Sequence, residues 1–257
     1  MTLIQPLVPD AIRGAKPVQG LAVTPVGSLD LTPDRVKYGL LLGFGTLLSL
    51  HCAALFVSYG LGYDVAMGFV PAFHMDWERN LPTFAATLLL LSCGILTALQ
   101  PVLRGGDRTG DDAWRTLAVL FVLLSVDEAF QLHEPIGIAV KARFDADWIP
   151  MFAWVLPYGA LLLVLAAVFL PWFLRLDRPS KMRFAIAAAL YVSGALGMEL
   201  VSSAYFESLD PGRATFRTLT GCLLSTVEES LEFIGTGVFL HALVRRVGGL
   251  CLSAQAG

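Results

Sequence analysis

The stretch AVLFVLLSVDEAFQLHEP, residues 118–135, decides the fold because it joins an apolar run directly to a cluster of ionisable side chains. Its first eight residues carry no charge, and the next ten contain Asp127, Glu128, His133 and Glu134. Ionisable groups inside an apolar helix of a membrane usually face the interior of a bundle or a water-filled cavity. The stretch therefore predicts a membrane helix that carries a polar site along its length.

The apolar character extends over the whole chain of 257 residues. Hydrophobic residues make up 56% of it and charged residues only 15%, with a mean hydropathy of +0.67, whereas an ordinary soluble domain is about one quarter charged. Backbone polar groups in lipid must be bonded within each segment, which favours helices. We therefore predict an all-α integral membrane protein, a bundle of six transmembrane helices. A span needs about 20 residues, and six runs reach that length: 38–60, 83–104, 114–134, 151–174, 184–206 and 218–243.

The two ends of the chain are predicted to lie outside the bundle. We expect one transmembrane domain at 38–246, preceded by a disordered cytoplasmic tail at 1–37 that is rich in Pro and Gly, and followed by a short cytoplasmic tail at 247–257. Segments on the side of these tails carry 13 of the 18 Lys and Arg residues. The positive-inside rule therefore places both termini in the cytoplasm. We expect the membrane to be a bacterial inner membrane.

Two similar stretches lie in the third and sixth apolar runs. The third contains VDEAFQL from residue 126, and the sixth contains VEESLEF from residue 227. With three helices in each half, the two halves would have opposite orientations in the membrane. Inverted repeats place polar sites near the midplane at the repeat interface, so the pattern raises the expectation of two inverted three-helix halves. An offset of 101 residues aligns Asp127 with Glu228, Glu128 with Glu229, and Gln131 with Glu232.

Carboxylates within these helices are the candidate functional residues. A charged side chain inside the bilayer costs about 2.5–3.5 kcal/mol on insertion scales, so a cluster of them indicates a function. On a straight helix, Asp127, Gln131 and Glu134 would share one face of the third run. The predicted central site consists of Asp127, Glu128, Glu228, Glu229 and Glu232, and its outer approach of Glu199, His133 and Glu134.

The charge of this cluster has to be neutralised. No Lys or Arg is expected at the same depth, so the carboxylates are either partly protonated or bound to a cation. Oxygen ligands suit hard cations such as Ca²⁺, Mg²⁺ or Mn²⁺, which makes a divalent metal ion the expected cofactor if one is present. The alternative is structural: protonated acids that hydrogen-bond between helices.

The first outer loop contains a second polar cluster. The segment FHMDWERNLP, residues 73–82, supplies His74, Asp76, Glu78 and Asn80 on the side toward which the third helix opens. We interpret them as a lid or mouth over the intramembrane acids. An ordinary solvated loop is the alternative explanation of such a cluster.

Histidine and cysteine outside these clusters are predicted to be structural. His51 lies alone in an apolar run, which is typical of a core histidine with satisfied hydrogen bonds. The four cysteines show no CxxC spacing, and free Cys behaves as a small hydrophobe. We therefore expect packing roles for Cys52, Cys93, Cys222 and Cys251.

Three motifs carry a resemblance to other proteins. DWERNLP at 76–82, DEAFQLHE at 127–134 and EESLEF at 228–233 together resemble patterns in uncharacterised bacterial multi-pass membrane proteins. The resemblance covers residues 40–245. It implies no activity, so no functional role is transferred to these residues.

Several function classes are excluded by what the sequence lacks. Four His residues are too few for a multi-histidine desaturase site, and the GxSxG, P-loop and dinucleotide motifs are missing. No basic surface indicates nucleic acid, and the expected partner is the lipid bilayer; the oligomeric state is not indicated.

Three functions stay open after these exclusions. The first is transport or exchange of protons or a divalent cation. The second is a membrane-embedded enzyme, metal-dependent or using acid–base catalysis, that acts on a lipophilic substrate. The third is a non-catalytic assembly, sensor or cofactor-holding subunit.

Overall fold

Helices dominate the structure and cover all six apolar runs. The structure, a computed structural model, describes residues 2–6, 25–103, 110–144, 148–209 and 218–255. The helices are α1 (Pro33–Leu55), α2 (Phe69–Phe73), α3 (Leu81–Leu103), α4 (Asp111–Phe130), α5 (His133–Arg143), α6 (Val155–Arg175), α7 (Arg178–Val192), α8 (Glu199–Glu207) and α9 (Leu219–Arg246).

Several of these helices are compatible with a lipid bilayer. The helical stretches Pro33–Gly60, Leu81–Leu103, Val155–Arg175 and Arg178–Glu207 are long and apolar enough to cross one, and a fifth span is added if α4 and α5 are taken together. The 28 residues of α9 are also sufficient in length, but three glutamates lie in its middle. The predicted helical body, with several helices that could cross a membrane, is thus confirmed; by length and apolar composition, four or five spans are found and not the predicted six.

Three of the helices begin with side-chain N-terminal caps, and in the longest, α9, the Thr218 hydroxyl accepts from the Gly221 amide. The Thr32 hydroxyl accepts a hydrogen bond from the Arg35 amide ahead of Pro33, the first residue of α1. The Asp177 carboxylate accepts one from the Ser180 amide at the start of α7. Such caps satisfy amides that have no partner inside the helix.

Arginine joins the end of α9 to the start of α7. One guanidinium nitrogen of Arg246 lies 2.7 Å from a carboxylate oxygen of Asp177 and 2.7 Å from the Ser180 hydroxyl. The guanidinium also lies over the ring of Trp114. These contacts set the position of α9, which carries three of the predicted site glutamates, relative to α7.

Small residues allow the helices to approach closely. A Cβ atom on Gly94 of α3 would lie 3.2 Å from a methyl group of Val122 on α4. A Cβ atom on Gly235 of α9 would lie only 2.6 Å from the Tyr191 amide nitrogen on α7. Near these contacts lies the main hydrophobic core, in which Trp114, Phe184 and Phe239 pack together with Leu243.

One helix stands apart from this compact group. Over the 18 most apolar consecutive residues of α6, only 6% of the residues are buried. Its side chains Leu161, Leu165 and Phe169 line a large cavity that separates it from α4, α7 and α9. The space that holds the site therefore results from the position of α6.

The third apolar run is broken. Helix α4 ends at Phe130, Gln131 adopts a left-handed conformation with φ of 55°, and α5 leaves at an angle of 81°. The expectation that Glu134 shares a helix face with Asp127 is therefore wrong. Glu134 lies instead in the first turn of α5, where the following Pro135 is tolerated because that turn needs no amide donor.

Two π-helical segments interrupt the long helices. Phe56–Gly60 extends α1, and Ser193–Met198 joins α7 to α8. Segments of this kind change the direction of the side chains that follow, and they occur frequently at functional sites. In this chain the first segment contains Tyr59, whose hydroxyl lies 3.2 Å from Cys222 Sγ, and the second directly precedes Glu199.

A small antiparallel sheet joins both ends of the chain. Its strands are β1 (Thr2–Pro6), β2 (Pro25–Leu31) and β3 (Leu250–Gln255), with β3 in the middle. The segment 1–37 was expected to be disordered, but it contains β1 and β2. The segment 247–257 was expected to be a short tail without structure, but it contains β3. Residues 7–24 lie outside the described part, as do six of the basic residues that bear on orientation: Arg13, Lys16, Arg104, Arg108, Arg213 and Arg217.

Candidate functional site

A cavity of about 1220 Å³ collects most of the predicted site residues. We call it the chamber. Its wall comes from the loop before α3 and from α4, α5, α6, α7, α8 and α9. Ten of the twelve predicted residues line it: Asp76, Glu78, Asp127, Glu128, His133, Glu134, Glu199, Glu228, Glu229 and Glu232.

Three glutamates that line the chamber also line a second, much smaller cavity beside it. Glu128 of α4 and Glu229 and Glu232 of α9 line a separate void of about 10 Å³, together with Tyr191 and Thr236. A volume of about 10–15 Å³ of this kind accommodates one water molecule, and therefore also a monatomic cation. We call this place the glutamate void.

Close helix packing brings these glutamates together. A Cβ atom on Gly194, in the π-helical segment, would lie 2.7 Å from Cγ of Glu232 and 2.8 Å from the Glu228 carbonyl oxygen. Only a glycine at this position allows α9 to lie so close to the π-helical segment. The backbone contact, and not the local sequence around each acid, positions this side of the site.

Two further carboxyl groups line the chamber. They belong to Glu199, at the start of α8, and to Glu228 of α9. The Trp154 indole donates to Glu199 Oε1 at 2.8 Å and so holds that carboxyl group in position.

A histidine–aspartate pair lies at the bend between α4 and α5. His133 Nδ1 lies 3.2 Å from Asp127 Oδ2, and the Tyr158 hydroxyl donates to Asp127 Oδ1 at 3.2 Å. The His133 ring also packs on Trp154 with centroids 4.8 Å apart. The bend is what allows His133 to fold back onto Asp127, six residues earlier.

The outer loop is held by hydrogen bonds and is not an ordinary solvated loop. The Asn80 side chain donates to the carbonyl oxygens of His74 and Trp77, both at 2.6 Å, and accepts from the amide and hydroxyl of Thr83. Asn80 therefore shapes the loop and the start of α3. Of the predicted lid residues, Asp76 and Glu78 line the chamber, whereas His74 and Asn80 do not.

Asp76 joins this loop to α9. Its Oδ1 accepts a hydrogen bond of 2.5 Å from the Ser225 hydroxyl. Burial raises the pKa of the Asp76 carboxyl above its ordinary value, and the bond from Ser225 opposes part of that shift. An acid with a raised pKa is more readily protonated, so a bound cation would have to displace that proton.

A mixed group of donors lies next to Asp76. Ligand atoms of His74, Asp76 and Cys222 all lie within 4.8 Å of one another. The prediction of a plain packing role for Cys222 did not foresee this arrangement. Asp76 and the free thiol of Cys222 lie 146 residues apart in the chain, so no local spacing could reveal them.

His51 has the structural role that the sequence predicts. It is fully buried, its Nδ1 accepts a hydrogen bond from the Met75 amide, and its Nε2 lies 2.8 Å from the Thr226 hydroxyl. The Thr226 proton goes to the Cys222 carbonyl oxygen, so the His51 ring donates to Thr226 in its neutral form. His51 thereby connects α1, the outer loop and α9.

The other half of the chamber is apolar. Leu117, Leu120 and Phe121 of α4 face Leu161 and further large side chains of α6. Among the described residues that line the chamber, nine carry a carboxyl group, and Lys141 is the one lysine or arginine. The chamber is therefore amphipathic, acidic at one end and hydrophobic at the other.

Comparison with known protein families shows a match over most of the chain. Residues 40–247 match the profile of a family described as a domain of unknown function, DUF8692. No curated protein and no solved structure matches the chain.

Proposed function

The chain belongs to this family, and from that premise we propose that it is a membrane protein that binds a hard divalent cation or protons among its carboxylates, for transport or exchange. The glutamate void carries the proposal. Three carboxylates around a space for one small ion, with no lysine or arginine lining it among the described residues, make up the oxygen-rich environment that Mn²⁺, Ca²⁺ or Mg²⁺ prefers.

The remaining acids support movement of the ion through the chamber. Glu228, Glu199, Asp76 and Glu78 line the chamber outside the void, the last two from the outer loop. Carboxylates that alternately hold a proton or a metal are suited to coupled movement across a bilayer. An arriving cation would displace protons from carboxyl groups of this kind.

We further propose six membrane crossings with both termini in the cytoplasm of a bacterium. The pairing of β1 and β2 with β3 supports an even number of crossings, because it brings both ends of the chain together. Counting α4 with α5 as one bent span and α9 as the last gives six. The inverted halves belong to this proposal, since α3 with α4 and α7 with α9 are both closely packed pairs that contribute acids.

Calorimetric titration of the full-length protein in detergent tests the cation site. Mn²⁺ and Ca²⁺ are titrated separately at two pH values. We expect saturable binding of at least one of them, stronger at the higher pH. If neither ion binds at either pH, the proposal of a divalent-cation site is wrong.

Proteoliposomes separate transport from static binding. Vesicles that contain the protein and a trapped Mn²⁺- or Ca²⁺-sensitive dye should show cation entry when a pH gradient is applied, and Glu232→Gln vesicles should not. Binding without entry would favour the third function class, a non-catalytic sensor or assembly subunit.

A second candidate function is favoured by one specific observation. His133 and Asp127 form a hydrogen-bonded pair of the kind used for general base catalysis, and it borders a hydrophobic space far larger than an ion requires. The alternative is therefore an enzyme that admits a lipophilic substrate past α6 and acts on its polar group.

The enzyme alternative has its own test. Purified wild-type protein and Asp127→Asn protein are each incubated with the same lipid extract, and the products are compared by mass spectrometry. A product formed by the wild type and lost in the variant would favour the enzyme. No difference would leave cation binding as the better-supported function.

A further inference from the structure

Three different metal-binding side chains meet where the outer loop contacts α9. His74 and Asp76 come from the loop, and Cys222 comes from the first turn of the helix. His74 and Cys222 are buried, and Asp76 is half-buried. None of the three belongs to the glutamate void, which is lined by other residues.

The donor set indicates the class of metal. An imidazole nitrogen, a thiolate sulfur and a carboxylate oxygen are the three ligand types that Zn²⁺ accepts. Hard cations such as Ca²⁺ and Mg²⁺ take oxygen ligands, so a site with sulfur and nitrogen selects a different ion from the one expected in the glutamate void.

The distances are close to those of a coordinated ion. Ligand atoms in a tetrahedral zinc site are about 3.4–3.6 Å apart, given bonds of about 2.0–2.3 Å. The ligand atoms here lie within 4.8 Å of one another, and Cys222 Sγ lies 4.0 Å from Asp76 Oδ2. A movement of about 1 Å or less per side chain would bring all three to bonding distance.

Neighbouring groups already orient each ligand, and for Cys222 the neighbour is the Tyr59 hydroxyl, 3.2 Å from Sγ. The Ser225 hydroxyl binds Asp76 Oδ1 and leaves Oδ2 toward Cys222. The His74 ring stacks on Trp77 and meets the edge of His51, each at a centroid distance of 5.2 Å. Such outer contacts hold metal ligands in place and are part of a metal site.

We propose that His74, Asp76 and Cys222 form a three-ligand site for a transition metal of the Zn²⁺ class at the wall of the chamber. Three protein ligands leave a fourth position for water or a substrate, as in catalytic zinc sites. Asp76 and Ser225 line the chamber, so that position is reached from the same space as the carboxylates.

Cobalt provides a direct readout of this site. Co²⁺ replaces Zn²⁺ in such sites, and a cysteine ligand gives an intense sulfur-to-cobalt absorption band in the near ultraviolet. The probe is Co²⁺ added to full-length protein in detergent after treatment with a chelator. We expect the band in the wild type, at one Co²⁺ per chain, and its loss when Zn²⁺ is added.

Cysteine variants identify the ligand. The band should persist when Cys52, Cys93 and Cys251 are all changed to Ser, which leaves Cys222 as the remaining thiol. It should disappear in Cys222→Ser, and Asp76→Asn should weaken Co²⁺ affinity by about tenfold or more. A wild type without the band, or a triple variant that loses it while still folded by circular dichroism, would overturn the proposal.

The two metal sites are distinguished in the same experiments. Glu229→Gln should leave the cobalt band unchanged, and Cys222→Ser should leave Mn²⁺ and Ca²⁺ binding unchanged. If Glu229→Gln removes the band, the ion is held by the carboxylates and the three-ligand site is wrong. Loss of Mn²⁺ binding alone would contradict the proposed function and leave this site standing.

Discussion

Single glutamates differ in what they are expected to contribute to cation binding. Glu232, on α9, lines the glutamate void, whereas Glu207, on α8, is exposed and accepts a hydrogen bond of 2.6 Å from the Met151 amide. Changing each to glutamine gives a matched comparison. An amide keeps an acceptor oxygen and loses the negative charge.

Glu232→Gln is predicted to weaken Mn²⁺ or Ca²⁺ affinity by at least about tenfold, as loss of a charged partner in a metal site does. Glu207→Gln should leave the affinity unchanged, because the amide oxygen can still accept from Met151. Calorimetric titration of both variants measures this. Equal losses in the two variants would show that the site does not lie at the glutamate void.

Asn80 gives a second prediction at the residue scale, about stability. Its side chain satisfies two loop carbonyls and the Thr83 amide in the first turn of α3. Asn80→Ala should lower the free energy of unfolding by about 1–2 kcal/mol, the usual cost of a lost cap. Thermal unfolding in detergent, with the exposed Arg79→Lys as control, tests it; an unchanged midpoint would contradict the cap role.

At the scale of elements, the contact between α9 and the π-helical segment Ser193–Met198 positions the site. Gly194 lies so close to α9 that any side chain would collide with Glu232. Gly43, on α1, has no atom within 4 Å of the position of a Cβ. Alanine at position 194 therefore changes both packing and helix propensity, whereas alanine at position 43 changes helix propensity alone.

Gly194→Ala is predicted to destabilise the protein by about 1–3 kcal/mol through overpacking, and to weaken Mn²⁺ or Ca²⁺ binding because Glu228 and Glu232 move. Gly43→Ala should leave cation affinity unchanged and stabilise the protein by about 0.5–1 kcal/mol, the gain in helix propensity alone. Thermal unfolding and titration of both variants give the answer. Normal cation affinity in a destabilised Gly194→Ala protein would show that this contact does not shape the site.

For the whole molecule, the pairing of the terminal strands and the distribution of basic residues lead to a labelling experiment. Asp64, after α1, and Asp112, at the start of α4, are both exposed and lie on predicted opposite sides. In a background with Cys52 and Cys251 changed to Ser, an impermeant thiol reagent should label Asp64→Cys in intact cells. Asp112→Cys should react only after lysis, and labelling of both in intact cells would refute the six-crossing topology.

The pH dependence of cation binding also belongs to the whole site. Protons and cations compete for the same carboxylates, so a bound metal releases protons. Affinity for Mn²⁺ or Ca²⁺ should therefore rise with pH, and each binding event should release a measurable number of protons into a weak buffer. An affinity that falls as pH rises would contradict binding by carboxylates.

The sequence by itself determined the helices and most of the acids. In lipid, an apolar run of about 20 residues can bond its own backbone amides and carbonyls as a helix, so composition was sufficient to predict the helical body. Ionised groups within such runs are costly, and this cost alone singled out Asp127, Glu128 and the three glutamates of α9. These are local properties, which the order of residues along the chain is enough to reveal.

Only the tertiary structure decided how these parts meet. The bend after Phe130 depends on one left-handed residue, Gln131. It moves Glu134 away from the helix face that it was predicted to share with Asp127. The terminal strands exist because segments more than 200 residues apart pair. Cys222 joins His74 and Asp76 for the same reason: contacts between distant segments depend on helix packing, which neither composition nor periodicity encodes.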